Sequence, residues 1–358
     1  MKLATRLPAE RSLPAEDADQ IAEIREQIIA VGDDFRARHP WIARYQDAIA
    51  LAIFIIAVAG VVGDAVLYIE GVIPWWVCIP LTAFWLSILH ELEHDLIHWM
   101  YFRKRKWVHH SMLFWAWFLR PNGVNPWIRR RWHLHHHEVS GTESDWEERS
   151  LTNGQGWGGH RLLMSLDHML GVYTRPFRLM RVLKDYVEHE ATDPDERRRL
   201  TRVTLSALIP FGAMHSFAWH SFLGLQAFQL LGGHVAHGWA YNALTVFAVV
   251  LLAPNALRQA CLIFVSSNMH YYGDVEEHNV FKQTQVWTAR RMWPLQAFCF
   301  NFGGTHAIHH FVVRDPFYLR QAIAGPCHEV LRAHGVRFND FGTFRRANRW
   351  MLSAPVEP

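Results

Sequence analysis

The chain has 358 residues, enough for one large domain or two ordinary ones. Half are apolar, with 17 Trp and 22 Phe, and the mean hydropathy is near zero, which points to a membrane protein with a sizeable aqueous part. Net charge is only +3, with Lys and Arg in short scattered clusters, so nothing argues for nucleic-acid binding, and four cysteines without a CxxC pair argue against a thiolate zinc or iron–sulfur site.

Residues 1–46 are polar, and DADQIAEIREQIIAVGDDFRARHPW carries helical periodicity from about Asp17 to Arg38. The stretch lacks the layout of a signal peptide and reads as a cytosolic amphipathic helix. Residues 47–97 read as a transmembrane hairpin. Ala48 to Leu67 carries one charge, Asp64, and Gly71 to Leu89 carries none. Each run approaches the roughly 20 residues needed to cross a bilayer.

Residues 98–202 turn polar again, and SMLFWAWFL (111–119) is too short to span, so it is expected at the interface or over the site. Residues 203–257 contain no Asp, Glu, Lys or Arg, room for a second hairpin with LGGHVAHGW (231–239) as its turn. Pro254, Asn255 and Arg258 mark where its second span leaves the hydrocarbon, with the helix continuing as QACLIFVSSNMH. Residues 258–358 are expected as a cytosolic C-terminal part that holds His270 and the third histidine box, with 271–358 mixed and soluble in character. Four spans in two hairpins put both termini on one side, with Arg36, Arg38, Arg44, RKRK (103–106) and the RRR runs at 129–131 and 197–199, so that side is cytosolic by the positive-inside rule.

The 24 histidines are the anomaly, because they cluster. HELEH places His90, Glu91 and His94 in the HExxH pattern of zinc metalloproteases, with two imidazoles one helical turn apart. RRRWHLHHHEVSG supplies His133, His136 and His137, and FGGTHAIHHF supplies His306, His309 and His310. Both have the form HxxHH, whose i, i+3 and i+4 positions share a helix face. His135 lies about 200° around from His133 and is left out. His270, in SSNMHYYGD, follows the fourth span on the same side, with His278 in DVEEHN as its competitor. Nine converging imidazoles exceed the four ligands of one zinc ion and suit two metal ions, without naming the metal.

His98 continues the i+4 series but is expected in a supporting or interfacial position. His109 and His110 beside a basic run, His215 and His220 in a span, and His234 and His237 in the far turn read as ordinary residues. A metal-bound imidazole donates its other N–H to a carboxylate or carbonyl. Candidates are Glu91, Glu93, Asp95, Glu138, Asp145, Asp274 and Asp315, with Asp145 preferred and Glu91 a further possibility.

HELEH, HLHHH and HAIHH in that order, with His270 in SSNMH, resemble the integral-membrane fatty acid desaturase and hydroxylase superfamily over roughly residues 45–315. The resemblance implies an all-α membrane protein with four transmembrane helices and a cytosolic helical cap holding a histidine-rich dimetal site. It further implies two iron ions, dioxygen as co-substrate, attack on unactivated C–H bonds of a lipid, and electrons from a separate donor. Two departures stand out. Ser266 occupies the position where some members carry an asparagine, which puts a water-mediated ligand there in doubt. No HPGG haem motif is present, so the donor is expected to be a separate ferredoxin, rubredoxin or cytochrome.

The boxes do not decide among desaturation, the favoured outcome, hydroxylation or ketolation, and oxidative decarboxylation to a terminal alkene. Trp85, Trp115, Trp117 and Trp293 are candidates to line an acyl tunnel. A membrane zinc peptidase would leave two boxes idle, and a metal transporter would want polar ligands within the spans, where 203–257 offers mainly His215 and His220.

Overall fold

A computed structural model describes residues 13–351. Among these the chain is helical, with two isolated bridges, His270 to Thr284 and Val286 to Phe338, as its extended pairings. The helices that place the site are α1 (Ala15–Arg38), α2 (Gln46–Ile69), α3 (Trp75–Ile97), α4 (Lys106–Leu119), α5 (Pro126–Val139), α6 (Pro176–Glu190), α7 (Pro194–Leu205), α8 (Phe211–Leu230), α9 (Trp239–Met269), α10 (Phe302–Phe311) and α11 (Phe317–Ala333).

Helices α2 and α3 form the first hairpin, turned at Gly71, whose φ of +72° lies in the region that favours glycine. They pack closely: a Cβ on Gly60 would sit 2.4 Å from the Trp85 ring. Ile55, Ile56, Val62 and Val66 of α2 face outward, an apolar surface of the kind expected against lipid. Every residue of α3 from Leu86 to Ile97 is buried, so HELEH lies inside the packed structure.

Three helices among the described residues are long and apolar enough to cross a membrane: α2, α3 and α9. The expected third span corresponds to the 20 residues of α8, which do not join them. Absence of formal charge in 203–257 overstated its hydropathy, because His215, His220, Gln226 and Gln229 dilute the apolar side chains. The last apolar helix continues past Pro254 and Arg258, as expected. Helix α9 runs 31 residues, through Pro254 to Met269, about 46 Å at helical rise. A π-helical turn at Ala248–Leu252 precedes the proline and absorbs the missing N–H. Asn255 Nδ2 donates to both Leu251 O and Leu119 O, tying the helix to the end of α4.

Helix α4 buries Met112, Leu113, Ala116 and Trp117 and leaves Phe114, Trp115 and Phe118 exposed. Helix α1 is docked: Ile21, Ile24 and Ile28 are buried in one apolar cluster with Ile308 and Phe311 of α10 and Leu319, Ile323 and Leu331 of α11. Three such side chains contribute roughly 5–9 kcal/mol before ordering entropy, enough to hold the helix in place. Helices α3, α5, α9 and α10 then surround one point, and their histidines meet there.

Candidate metal centre

Local sequence sets each box on a helix. Pro126 opens α5, and Asn125 Oδ1 accepts from Trp127 N at 3.1 Å, a capped start that puts His133, His136 and His137 in the last two turns. Helix α10 follows the left-handed Asn301 and buries all ten of its residues. His270 caps the C-terminus of α9.

The ligand atoms of His94, His98, His133 and His309 lie within 4.8 Å of one another, and so do those of His136, His270, His306 and His310. Seven of the nine expected histidines therefore fall into two groups of four. His98, expected in a supporting or interfacial position, lies in the first group as its fourth member. Its signal was the continuing i+4 series from His90 and His94. His137 lies between the groups, its Nε2 3.1 Å from both His133 Nε2 and His309 Nε2, with its ring 4.6 Å from that of His310. His90 stands aside: its Nδ1 is 3.0 Å from Arg120 Nη1, and its Nε2 is buried without a partner.

His135 is held elsewhere, by Glu190 Oε1 at 2.9 Å and Ser144 O at 3.1 Å, as its helical position requires. His278 is exposed and belongs to neither group, its amide donating to Glu138 O at 2.9 Å, and His270 is the one brought in.

Four rings are fixed through Nδ1, leaving Nε2 directed inward. His133 Nδ1 is 2.7 Å from Glu147 Oε2, His136 Nδ1 3.0 Å from Asp145 Oδ2, His270 Nδ1 2.8 Å from Ser266 O, and His310 Nδ1 3.1 Å from Gln283 Oε1. The buried Nε2 atoms of His94 and His270 have no partner in the protein, the state of a ligand awaiting an ion. The donor set fits two transition-metal ions bound by imidazole. At His309 Nδ1 (2.7 Å from Arg320 Nη1) and at His90 Nδ1 an arginine donates to the ring. An imidazole metallated through Nε2 carries its proton on Nδ1, so the arginine must withdraw from any such ring when the ion binds.

Of the carboxylates expected to support the boxes, Asp145 reaches a box histidine at hydrogen-bond distance. Asp95 is 3.8 Å from His94 Nδ1 and accepts instead from Tyr101 Oη (2.6 Å) and Phe317 N (2.8 Å). Glu91 pairs with Arg320 at 3.4 Å, Glu93 with Arg120 and Arg129, and Asp315 with Arg36. Glu138 is exposed, and Asp274 caps the Trp350 and Met351 amides. Sequence reasoning missed Glu147, Glu148, Gln283, Arg120 and Arg320. The acids of DWEER, ten residues past the second box, were the available signal.

Burial keeps the His137, His306, His309 and His310 rings well below the usual imidazole pKa, and His270 near about 3, so these rings are neutral and able to ligate. At His136 burial acts the same way, but the carboxylate of Asp145 outweighs it and lifts the ring to about 9. Burial works to raise Glu147, yet His133 and Arg129 hold it well below the carboxylate range, so it stays an anion under His133. Glu147→Gln is therefore expected to weaken metal binding about 10–100-fold in a chelator competition, with the fold intact.

Beside the groups is a cavity of about 130 Å³ lined by His90, His94, His133, His136 and His306 together with Arg120, Arg129, Arg258, Leu262 and Phe302. A second, apolar cavity of about 760 Å³ is lined by Ile53, Ile56, Phe84, Ile88, Phe300 and Trp293. Of the four expected tunnel tryptophans it contains Trp293. Trp85 packs on Gly60, Trp115 is exposed, and Trp117 packs on Phe211.

Comparison with curated proteins gives no significant match. The family model for fatty acid desaturases matches residues 70–342, a stretch that contains all three boxes, His270 and the four helices that carry them. With a helical fold, three apolar helices and two groups of buried or half-buried histidines that could hold metal ions, the chain belongs to the fatty acid desaturase family of membrane proteins, whose substrates are lipids.

Proposed function

We propose that the protein is a membrane-bound non-haem diiron oxidoreductase that uses O2 and external electrons to oxidise an unactivated C–H bond of a fatty acyl or fatty acid chain, with desaturation as the favoured outcome. The observation that carries this reading is the pair of four-imidazole groups. An iron pair bound there would supply the activation of oxygen. His94, His98, His133 and His309 would hold one ion, and His136, His270, His306 and His310 the other, with His137 between them and His90 facing the adjoining cavity.

The protein's own groups orient the site. Phe302 stacks on His306 with ring centroids 4.0 Å apart and screens it from the apolar side. Glu148 receives a hydrogen bond from Ser266 Oγ at 2.6 Å, and burial lifts its pKa to about 7, so at neutral pH it can hold a proton on the unpartnered Oε2. The apolar cavity has the size and lining of a lipid-chain site. The favoured topology keeps four spans, with α8 as the third, and the metal site on the cytosolic side with the basic clusters. Electrons would come from a separate ferredoxin, rubredoxin or cytochrome. Hydroxylation or ketolation, and oxidative decarboxylation, use the same ligands and are the competing outcomes.

The test is anaerobic iron loading, followed by oxygen, a reductase system and a panel of free and thioester-linked fatty acids. Two irons per chain and a product lighter by two hydrogens are expected. Gain of oxygen or loss of carbon dioxide by mass spectrometry reassigns the outcome, and one zinc with proteolysis overturns the reading.

A further inference from the structure

Helix α9 carries a single charged residue, Arg258, about 18 Å along the helix axis from His270. It is 1% exposed. Its Nη2 donates to two neutral oxygens, Asn122 Oδ1 at 3.2 Å and Gln259 Oε1 at 2.7 Å, and its Nε has no partner. No carboxylate among the described residues pairs with it. The neighbouring arginines differ: Arg120 pairs with Glu93, and Arg129 pairs with Glu93 and Glu147. A buried guanidinium without a counter-charge is costly, because its desolvation is not offset by an opposite charge. An ionisable residue inside a membrane span ordinarily serves a ligand or a transported charge.

Arg258 also lines the 130 Å³ cavity that includes His90, His94, His133, His136 and His306. The missing anion would therefore sit in the same space as the metal-site imidazoles; of the carboxylates that line it, Glu93 and Glu147 are taken by Arg120 and Arg129, and Glu148 accepts from Ser266 Oγ, so none of them pairs with Arg258. A dry cavity of about 150 Å³ holds a benzene-sized ligand. This one has room for a carboxylate and the first few carbons behind it, and Val124, Leu262, Ile263 and Phe302 give that space an apolar side.

We propose that Arg258 is the anchor for the ionised carboxylate of a free fatty acid, and that this contact brings the carboxyl end of the chain, rather than its methyl end or its middle, into the metal cavity. The inference rests on the proposed lipid oxidation for the identity of the chain, but the binding contact stands separately from turnover. Asn122 and Gln259 hold the guanidinium in place, and the carboxylate supplies the charge that neither amide can. A thioester or an ester has no such charge and would leave Arg258 unpaired.

The experiment uses the iron-loaded full chain in detergent and measures equilibrium binding of radiolabelled hexadecanoic acid and its methyl ester. One buried charge-assisted contact sets the expected preference for the acid at about 10–100-fold in the wild type. Arg258→Gln should abolish that preference by weakening the acid and leaving the ester unchanged, and Arg258→Lys should keep part of it. Equal binding of acid and ester by the wild type overturns the proposal. So does an Arg258→Gln protein of unchanged thermal stability that still prefers the acid. If Arg258→Gln fails to fold, the wild-type ratio and Arg258→Lys decide. Acid preference lost with Arg258 in a protein that oxidises neither compound supports the anchor and overturns the proposed oxidation.

Discussion

Replacing His98 with alanine is expected to lower bound iron from two ions per chain to one and to cut turnover by at least about 100-fold, since even outer-sphere changes cost 10–100-fold. His98 is one of four residues whose ligand atoms lie within 4.8 Å of one another. Its Nε2 is 3.0 Å from that of His309, and its ring centroid is 4.8 Å from that of His133. Without it the first group keeps three imidazoles. The nearest substitutes are badly placed: His137 already lies between the groups, and His90 is engaged by Arg120. His135→Ala is the control, since that ring is committed to Glu190 and Ser144 O, and it should keep both irons. Full iron and full turnover in His98→Ala would show that another ring completes the first group.

The contrast between His98 and His135 shows what the sequence could disclose. Helical spacing placed the boxes on shared faces and set His135 apart, because two residues turn a helix through about 200°, and that ring bonds Glu190 and Ser144 O. The same arithmetic made His98 eligible, since positions 90, 94 and 98 form one stripe. A stripe does not reveal how far a binding point reaches along the helix, which depends on where α5 and α10 cross α3. Asp145 could be foreseen because it follows its histidine closely in the chain. Gln283 and Arg320 approach their histidines only through tertiary packing and carry no local signal. The third expected span is less legible for a different reason: it carries no formal charge, whereas hydropathy also depends on uncharged polar residues such as His215 and Gln226, and α8 does not join the three most apolar helices. The sequence marks Arg258 as a polar residue on a long apolar helix, and only the surrounding helices show that it is buried.

Arg320→Met is expected to destabilise the metal-free protein by about 3–5 kcal/mol, the range for removing one partner of a buried ion pair. Arg320 is 1% exposed and lies 3.4 Å from Glu91 and 3.3 Å from Asp95, linking α11 to the box-bearing turns of α3. The two acids do not lose equally. Asp95 keeps the Tyr101 hydroxyl and the Phe317 amide, whereas Glu91 has Oε1 already unpartnered and loses its ion-pair partner. The double variant Glu91→Gln with Arg320→Met should therefore recover a large part of the loss, because an unpaired amide is cheaper to bury than an unpaired carboxylate. Metal binding should respond in the opposite sense. Arg320 Nη1 donates to His309 Nδ1 at 2.7 Å and must withdraw if His309 binds an ion through Nε2, so the methionine variant should bind iron at least as tightly as the wild type. Chemical unfolding of the metal-free single and double variants, with iron titration of each, separates the two effects. An Arg320→Met protein as stable as the wild type, or a double variant no better than the single, would remove the ion-pair argument. Weaker iron binding would instead make Arg320 a support for His309.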